Sequence, residues 1–266
     1  MSSLSLALRD SATMLRRDLR HAQRFPMMTA SGILVPVIFL LLFAGVFGRA
    51  LSAGLGVRPG GYVDYLTPGI LVMTAGFAAE STAVTVNTDF RLGIIDRFRT
   101  MPIARTSVLT GTVAGSVIRT MLSGVFVVAV ALALGFRSAA GPAAWIAAAG
   151  MFAALAFALT WLTVALGLFA KTPAGANSLA LLVAILPFVS SAFVPTGTMP
   201  AGVRWFAQNE PFTPVIGTLR GLLTGGVIGN SAVAAVAWCA GIALAGYLWA
   251  RVLYDRGPAA APAVAA

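Results

Sequence analysis

A chain of 266 residues that is 59% hydrophobic and only 10% charged, with a mean hydropathy of +0.91, is too apolar for a soluble domain, in which about a quarter of the residues are charged. Its net charge of +10 would suit nucleic acid, but the basic residues sit between long apolar runs, where segregation to one face of a membrane explains them better. One histidine, one lysine and a single cysteine, Cys239 within an apolar run, leave no disulfide framework, no metal cluster and little conventional catalytic equipment.

The pattern predicts an all-α integral membrane protein made of one transmembrane domain over 1–266. In residues 4–25, Leu4, Leu8, Ala12, Leu15, Leu19 and Ala22 recur at helical spacing, with Arg9, Arg16, Arg17, Arg20 and Arg24 on an adjoining arc. This predicts an interfacial helix, apolar side in the acyl boundary and arginines toward headgroups. Arg16-Arg17 would suit a twin-arginine export signal, but several further apolar runs follow. The first span is expected at 28–48, close to the ~20 residues that a bilayer core requires, with Pro36 kinking it. A Gly-rich loop over 49–65 leads into a second span at 66–88. A charged loop, 89–105, carries two aspartates and four arginines in 17 residues. Span three is expected at 108–136, capped by Thr106 or Ser107, with Gly111 and Gly115 allowing close helix contact. Spans four and five follow at 145–170 and 177–194. The segment 195–230 is too polar and too rich in Pro and Gly for a span, and reads as short re-entrant helices on the outer side. The last span is 231–254, and 257–266 should be a disordered tail.

Six spans place both termini on one side of the membrane. Twelve basic residues fall on that side (Arg9, Arg16, Arg17, Arg20, Arg24, Arg91, Arg97, Arg99, Arg105, Lys171, Arg251 and Arg256). Five fall on the other (Arg49, Arg58, Arg137, Arg204 and Arg220), and Arg119 lies inside span three. The asymmetry predicts cytoplasmic termini and a cytoplasmic 89–105 loop. Within that loop Phe90, Ile94, Phe98 and Met101 make an apolar stripe at helical spacing, and Pro102 ends it. A short amphipathic helix of this kind can insert an aromatic anchor into a groove on a soluble partner. The alternative is a basic loop that only fixes topology.

Polar residues inside the spans are costly in lipid and should face protein or water. At 1.5 Å per residue, Glu80 lies about 13 Å and Arg119 about 19 Å from the charged loop, so an ion pair between them is expected. It would serve either as a packing contact or as part of a polar transport path. Asn87, Thr82 and Thr85 can hydrogen-bond neighbouring helices equally well. A phosphate-binding loop G-x-x-x-x-G-K-[ST] has no match: Lys171-Thr172 is preceded by Ala165 and Ala170 where the glycines belong. This chain is therefore expected not to hydrolyse ATP and to be no enzyme.

The segment IIDRFRTMPIAR, 94–105, resembles the coupling-helix region of type-2 ABC exporter permeases, especially the daunorubicin- and doxorubicin-resistance branch. The matching positions are Asp89, Gly93, Ile95, Asp96, Arg97, Phe98, Arg99, Pro102, Ile103 and Arg105. A second segment, NEPFTPVIGTLRGLL, is similar to the family's motif before the last span through Asn209, Pro211, Thr213, Pro214 and Arg220, with Glu210 interrupting the usual Asn-Pro pair. The resemblance implies a permease working as a dimer in a bacterial plasma membrane, coupled through 89–105 to separate ATPase subunits, two copies, that hold ATP and Mg. No cofactor bound by this chain and no nucleic-acid partner is expected, only membrane lipids. The implied function is export of a hydrophobic or amphipathic drug or lipid-like substrate. Two alternatives stay open: export of a lipid, glycan or glycolipid, and a non-transporting scaffold that recruits a soluble protein.

Overall fold

The computed structural model describes residues 26–48, 50, 52, 61–92 and 105–256. The expected interfacial helix 4–25, the 93–104 part of the charged loop and the tail 257–266 lie outside the described residues, as do the side chains of Arg105, Thr106 and Ser107.

Helix α1 is Pro26–Leu41, with Pro36 inside it, and continues as a π turn over Leu42–Val46. Helix α2, Gly61–Arg91, runs unbroken for 31 residues. The Gly-rich loop expected to reach residue 65 therefore ends by 60. Tyr62 and Leu66 are fully buried, and packing of that first turn outweighs the Gly61 and Pro68 that punctuate it. Helix α3 is Arg105–Ala133. Helix α4, Pro142–Phe169, starts with proline at its first position, where the missing N–H is no loss.

Between α4 and the next helix lies the Lys171-Thr172 pair. Thr172 is extended, and its hydroxyl accepts the Gly175 N–H at 3.0 Å, capping α5, Pro173–Ile185. A 3-10 turn over Leu186–Val189 prolongs α5. Two short helices follow, α6 (Ala201–Asn209) and α7 (Phe212–Thr224); Gly225, at φ 76°, ends α7 in the left-handed conformation that glycine adopts without strain. Helix α8 is Ser231–Arg256.

Four helices are long and apolar enough to cross a membrane: α2, α3 from Leu109, α4, and α8 to Tyr254. The other two expected spans coincide with shorter apolar stretches among the described residues, Leu34–Val46 and Pro173–Val189. Four of the six expected spans are thus matched by length and composition among the described residues.

Helix α2 is the axis of the molecule, packed by α1, α3, α4, α5 and α7, while α8 leans mainly on α4. The main apolar core runs from Leu40 through Leu66, Ile70 and Met73 of α2 to Leu155 and Leu159 of α4 and Ile216 and Leu219 of α7. Cys239 is a packing residue of this core. A second cluster, with Val86, Leu109, Val113, Trp161, Val164, Leu168 and Tyr254, fills the end near the charged loop. Large apolar side chains cover the outer faces of α3 and α8: Leu122, Val125, Phe126, Val233, Leu244 and Leu248 are all exposed. In water such surfaces would be an aggregation hazard, and in lipid they are the normal exterior.

Candidate functional site

The two ends of α2 are held by different chemistry. At its start, Arg220 of α7 lies flat on the Tyr65 ring, 3.7 Å from the centroid. The same guanidinium donates to the backbone oxygens of Tyr65, at 3.1 and 3.3 Å, and of Ser191, at 2.9 Å. The Tyr65 hydroxyl also donates to Ser191 O, at 3.0 Å, and the Tyr62 hydroxyl to Phe193 O, at 3.3 Å. One planar, multiply donating cation thus ties together α2, α7 and the 190–193 turn, which a lysine could not do. Burial pushes the Arg220 pKa down and Tyr65 opposes that shift. Phe39 and Phe43 of α1 pack on Phe188 and Phe193 beside this knot, with Phe43 and Phe193 centroids 4.4 Å apart.

The motif residues before α7 belong to the same end. Thr213 Oγ1 accepts the Ser191 N–H at 3.1 Å, Pro211 sits at the start of α7, and Pro214 O accepts the Thr218 hydroxyl. Among the described residues Asn209 donates to Trp205 O in its own helix. Glu210, which looked like an interruption, caps α7: its two carboxylate oxygens accept the N–H groups of Phe212, at 2.9 Å, and Thr213, at 2.5 Å. Glu210 is buried, and burial raises its pKa more than those N–H groups lower it. A sequence signal was present: an acidic side chain directly ahead of a proline-led helix suits the unsatisfied N–H groups there.

At the other end, Asn87 is fully buried, and its amide nitrogen donates to Gly167 O, at 2.8 Å, and Ala170 O, at 2.7 Å. These carbonyls end α4, so an α2 side chain caps its neighbour. Between the two ends, Thr82, Ser116 and Thr160 form a buried hydroxyl chain across α2, α3 and α4, with contacts of 2.7 and 3.4 Å. Thr85 instead bonds back to Ser81 O. Glu80 and Arg119 are both half-buried, and no hydrogen bond or ion pair joins them among the described residues. Polar contact between α2 and α3 at that level is made by Thr82 and Ser116 instead.

Asp89, half-buried in the last turns of α2, precedes the 93–104 segment, where Gly93, Ile95, Asp96, Arg97, Phe98, Arg99, Pro102 and Ile103 lie outside the described residues. Arg91, Lys171 and Arg251 lie at this same end of the bundle, whereas Arg137, Arg204 and Arg220 belong to the opposite one. Near that opposite end an apolar recess of about 170 Å³ opens between α2, α3, α4 and α7, lined by Leu71, Met121, Val125, Trp145, Phe152 and Leu223 among others.

A lipid-compatible exterior, a buried central helix fixed at both ends, and internal hydroxyl and amide contacts define a polytopic helical membrane protein. Residues 10–224 match the ABC-2 type transporter family, and the chain belongs to that family. It is 29% identical over 220 residues to a daunorubicin resistance ABC transporter permease protein of Streptomyces coeruleorubidus, covering 82% of this chain and 76% of the relative. A probable doxorubicin resistance ABC transporter permease protein of Mycobacterium tuberculosis is 22% identical over 210 residues, covering 79% and 75%. A putative transport permease of Porphyra purpurea is 25% identical over 217 residues, covering 80% and 73%. The relatives are permease subunits, which are not themselves catalytic, and the family implies partnership with an ABC ATPase subunit.

Proposed function

We propose that this chain is the membrane subunit of an ATP-driven exporter that moves a hydrophobic or amphipathic substrate, a drug or lipid-like molecule, outward across a bacterial plasma membrane. Two copies would form the path, and separate ATPase subunits holding ATP and Mg would dock on 89–105, with Phe98 as the aromatic anchor and Arg97 and Arg99 at its rim. Both termini would be cytoplasmic, and α1 and α5 would complete six spans. The observation that carries this reading is α2 itself. It is one unbroken helix from Gly61 to Arg91, buried mainly in its first half and along one face as far as Asn87, and it leads directly into the loop. A push on that loop would reach the Tyr65–Arg220 knot along a single rigid rod. Glu80 and Arg119 would supply intramembrane charge to the path, and normal transport and expression in Arg119→Gln would remove both from the mechanism.

The decisive experiment is co-purification with an ATPase carrying a Walker A loop, followed by transport and ATP hydrolysis in wild type and Phe98→Ala. Phe98→Ala should lose partner and transport together. Intact coupling with Phe98, Arg97 and Arg99 all changed would reject the loop as the dock and favour the scaffold reading. The apolar recess favours a second reading, lipid export through a side opening. Filling it by Val125→Trp should then slow outward movement of a fluorescent phospholipid in proteoliposomes; an unchanged rate removes that reading.

A further inference from the structure

The lining of the apolar recess, which includes Leu71, Met121, Val125, Ala149, Phe152 and Leu223, holds no charged and no hydroxyl side chain. Val125 of α3 and Ala149 of α4 are both exposed, so the recess opens between these helices onto the surface that Leu122 and Phe126 share. That surface is the lipid-facing exterior of α3. An apolar cavity of about 150 Å³ stays dry and accepts a group the size of benzene, and this recess, at about 170 Å³, is of that size. In a bilayer the material at its lip is acyl chain. A chain segment that enters restores the dispersion contacts an empty void lacks.

The second observation is the charge at the rim. Ser138, in the turn between α3 and α4, donates its hydroxyl to Leu223 O at 2.7 Å, which ties that turn to a residue of the lining. Its neighbour Arg137 is exposed, and the Arg137 backbone N–H donates to Asp64 Oδ1 at 2.8 Å. A cationic and an anionic residue are thereby held side by side, yet no ion pair joins them among the described residues. Asp64 precedes Leu71 by seven residues of α2, about 10 Å along the helix. That spacing suits a headgroup standing over a chain, because the interfacial layer on each side of the hydrocarbon core is roughly 5–8 Å thick.

We propose that the recess and its rim form a binding site for one zwitterionic phospholipid of the phosphatidylethanolamine class. An acyl segment would lie between α3 and α4, the phosphate on Arg137 and the primary ammonium on Asp64. A guanidinium forks onto phosphate oxygens, and a primary ammonium brings three N–H donors to a carboxylate. A quaternary ammonium brings none, and a headgroup without a cation sets its phosphate against Asp64, a like charge. The site therefore selects by headgroup as well as by chain. It concerns binding at equilibrium and holds whether or not a lipid is exported.

The test titrates the delipidated full chain in detergent with phosphatidylethanolamine, phosphatidylcholine or phosphatidylglycerol of matched chains, counting bound lipids by native mass spectrometry. Wild type should bind one phosphatidylethanolamine in preference to the other two. Arg137→Gln and Asp64→Asn both leave the backbone N–H bond to residue 64 possible, and each should weaken that binding about threefold to fivefold, the scale of exposed ion pairs. Ala149→Trp, which fills the lip, should weaken binding of all three lipids by about tenfold or more, the contribution of about two buried methylene groups. Ile146→Trp, on an exposed side chain outside the lining, should change nothing. Undiminished binding in Ala149→Trp would mean annular lipid only. Equal affinity for the three headgroups, or no effect of either charge substitution, would leave a plain acyl groove; each of these results overturns the proposal. If Ala149→Trp does not accumulate, Val128→Phe, also in the lining, takes its place under the same criterion.

Discussion

Arg220 is the most consequential side chain at the far end of α2, and its replacement has a calculable effect. In Arg220→Met the apolar stem is retained, but the fork onto Tyr65 O and Ser191 O and the stack on the Tyr65 ring are lost. Hydrogen bonds from a charged donor contribute about 1.5–3 kcal/mol each, and a cation over an aromatic face about 0.5–2 kcal/mol. Ser191 O keeps its bond from the Tyr65 hydroxyl, so the full sum overstates the loss. A net destabilisation of about 3 kcal/mol follows, which corresponds to roughly 6–12 °C in melting temperature for a domain of this size. Arg220→Lys should lose about half as much, since the charge remains but cannot fork between two carbonyls or lie flat on the ring. Thermal unfolding of detergent-solubilised protein measures both. A melting temperature for Arg220→Met within about 2 °C of wild type would refute the claim that this cation ties the three segments together.

Gly167→Ala should destabilise by about 1–3 kcal/mol, because its Cβ would strike the Ala83 carbonyl, whereas Gly150→Ala, with open space around it, should be neutral or slightly stabilising in the same melting assay. The pair Thr82→Val and Ser116→Ala should show a coupling energy of about 0.5–1.5 kcal/mol in a double-mutant cycle; strict additivity would deny their hydrogen bond any weight. Glu210 ionises above the ordinary carboxylate range when folded, so the folded state holds its proton more tightly than the unfolded chain. Its contribution is complete below the ordinary range and is lost as pH climbs through the raised value. Melting of wild type and Glu210→Gln should therefore shift in favour of Gln as pH rises from about 4 to 7, and a gap that widens the other way would contradict the sign.

What could be read from the sequence was what depends on neighbours along the chain. Apolar runs located the helices, and the Pro/Gly punctuation of 195–230 separated two short helices from the spans. Thr172 was visible as no part of a phosphate loop, and the structure makes it an N-cap. What could not be read depends on partners far apart in sequence: Asn87 reaches residues 80 and 83 positions away, and Arg220 reaches Tyr65 at a separation of 155. Glu80 and Arg119 drew notice because charge in an apolar run is conspicuous, while neutral Thr82 and Ser116 make the observed contact between their helices. Glu210 is a related case. Compared with a motif it is an intruder, but beside two bare N–H groups it is the acceptor they need.

The unequal lengths of the helices bear on the membrane around the protein. Helix α2, at 31 residues, is about 46 Å long, well beyond a hydrocarbon core of about 30 Å. Helix α5 has 13 residues, about 20 Å, and its 3-10 extension adds four residues at about 2 Å each instead of 1.5 Å, bringing the pair to about 28 Å. The stretched turn thus nearly makes up the thickness with few residues, and its Phe188 sits against Phe39 of α1. Lipid meeting this side of the molecule encounters a thinner apolar wall than lipid meeting α3 or α4. Bilayer thickness then becomes a variable that acts on α5 first, and acyl-chain length in a reconstituted membrane a means of stressing that side selectively.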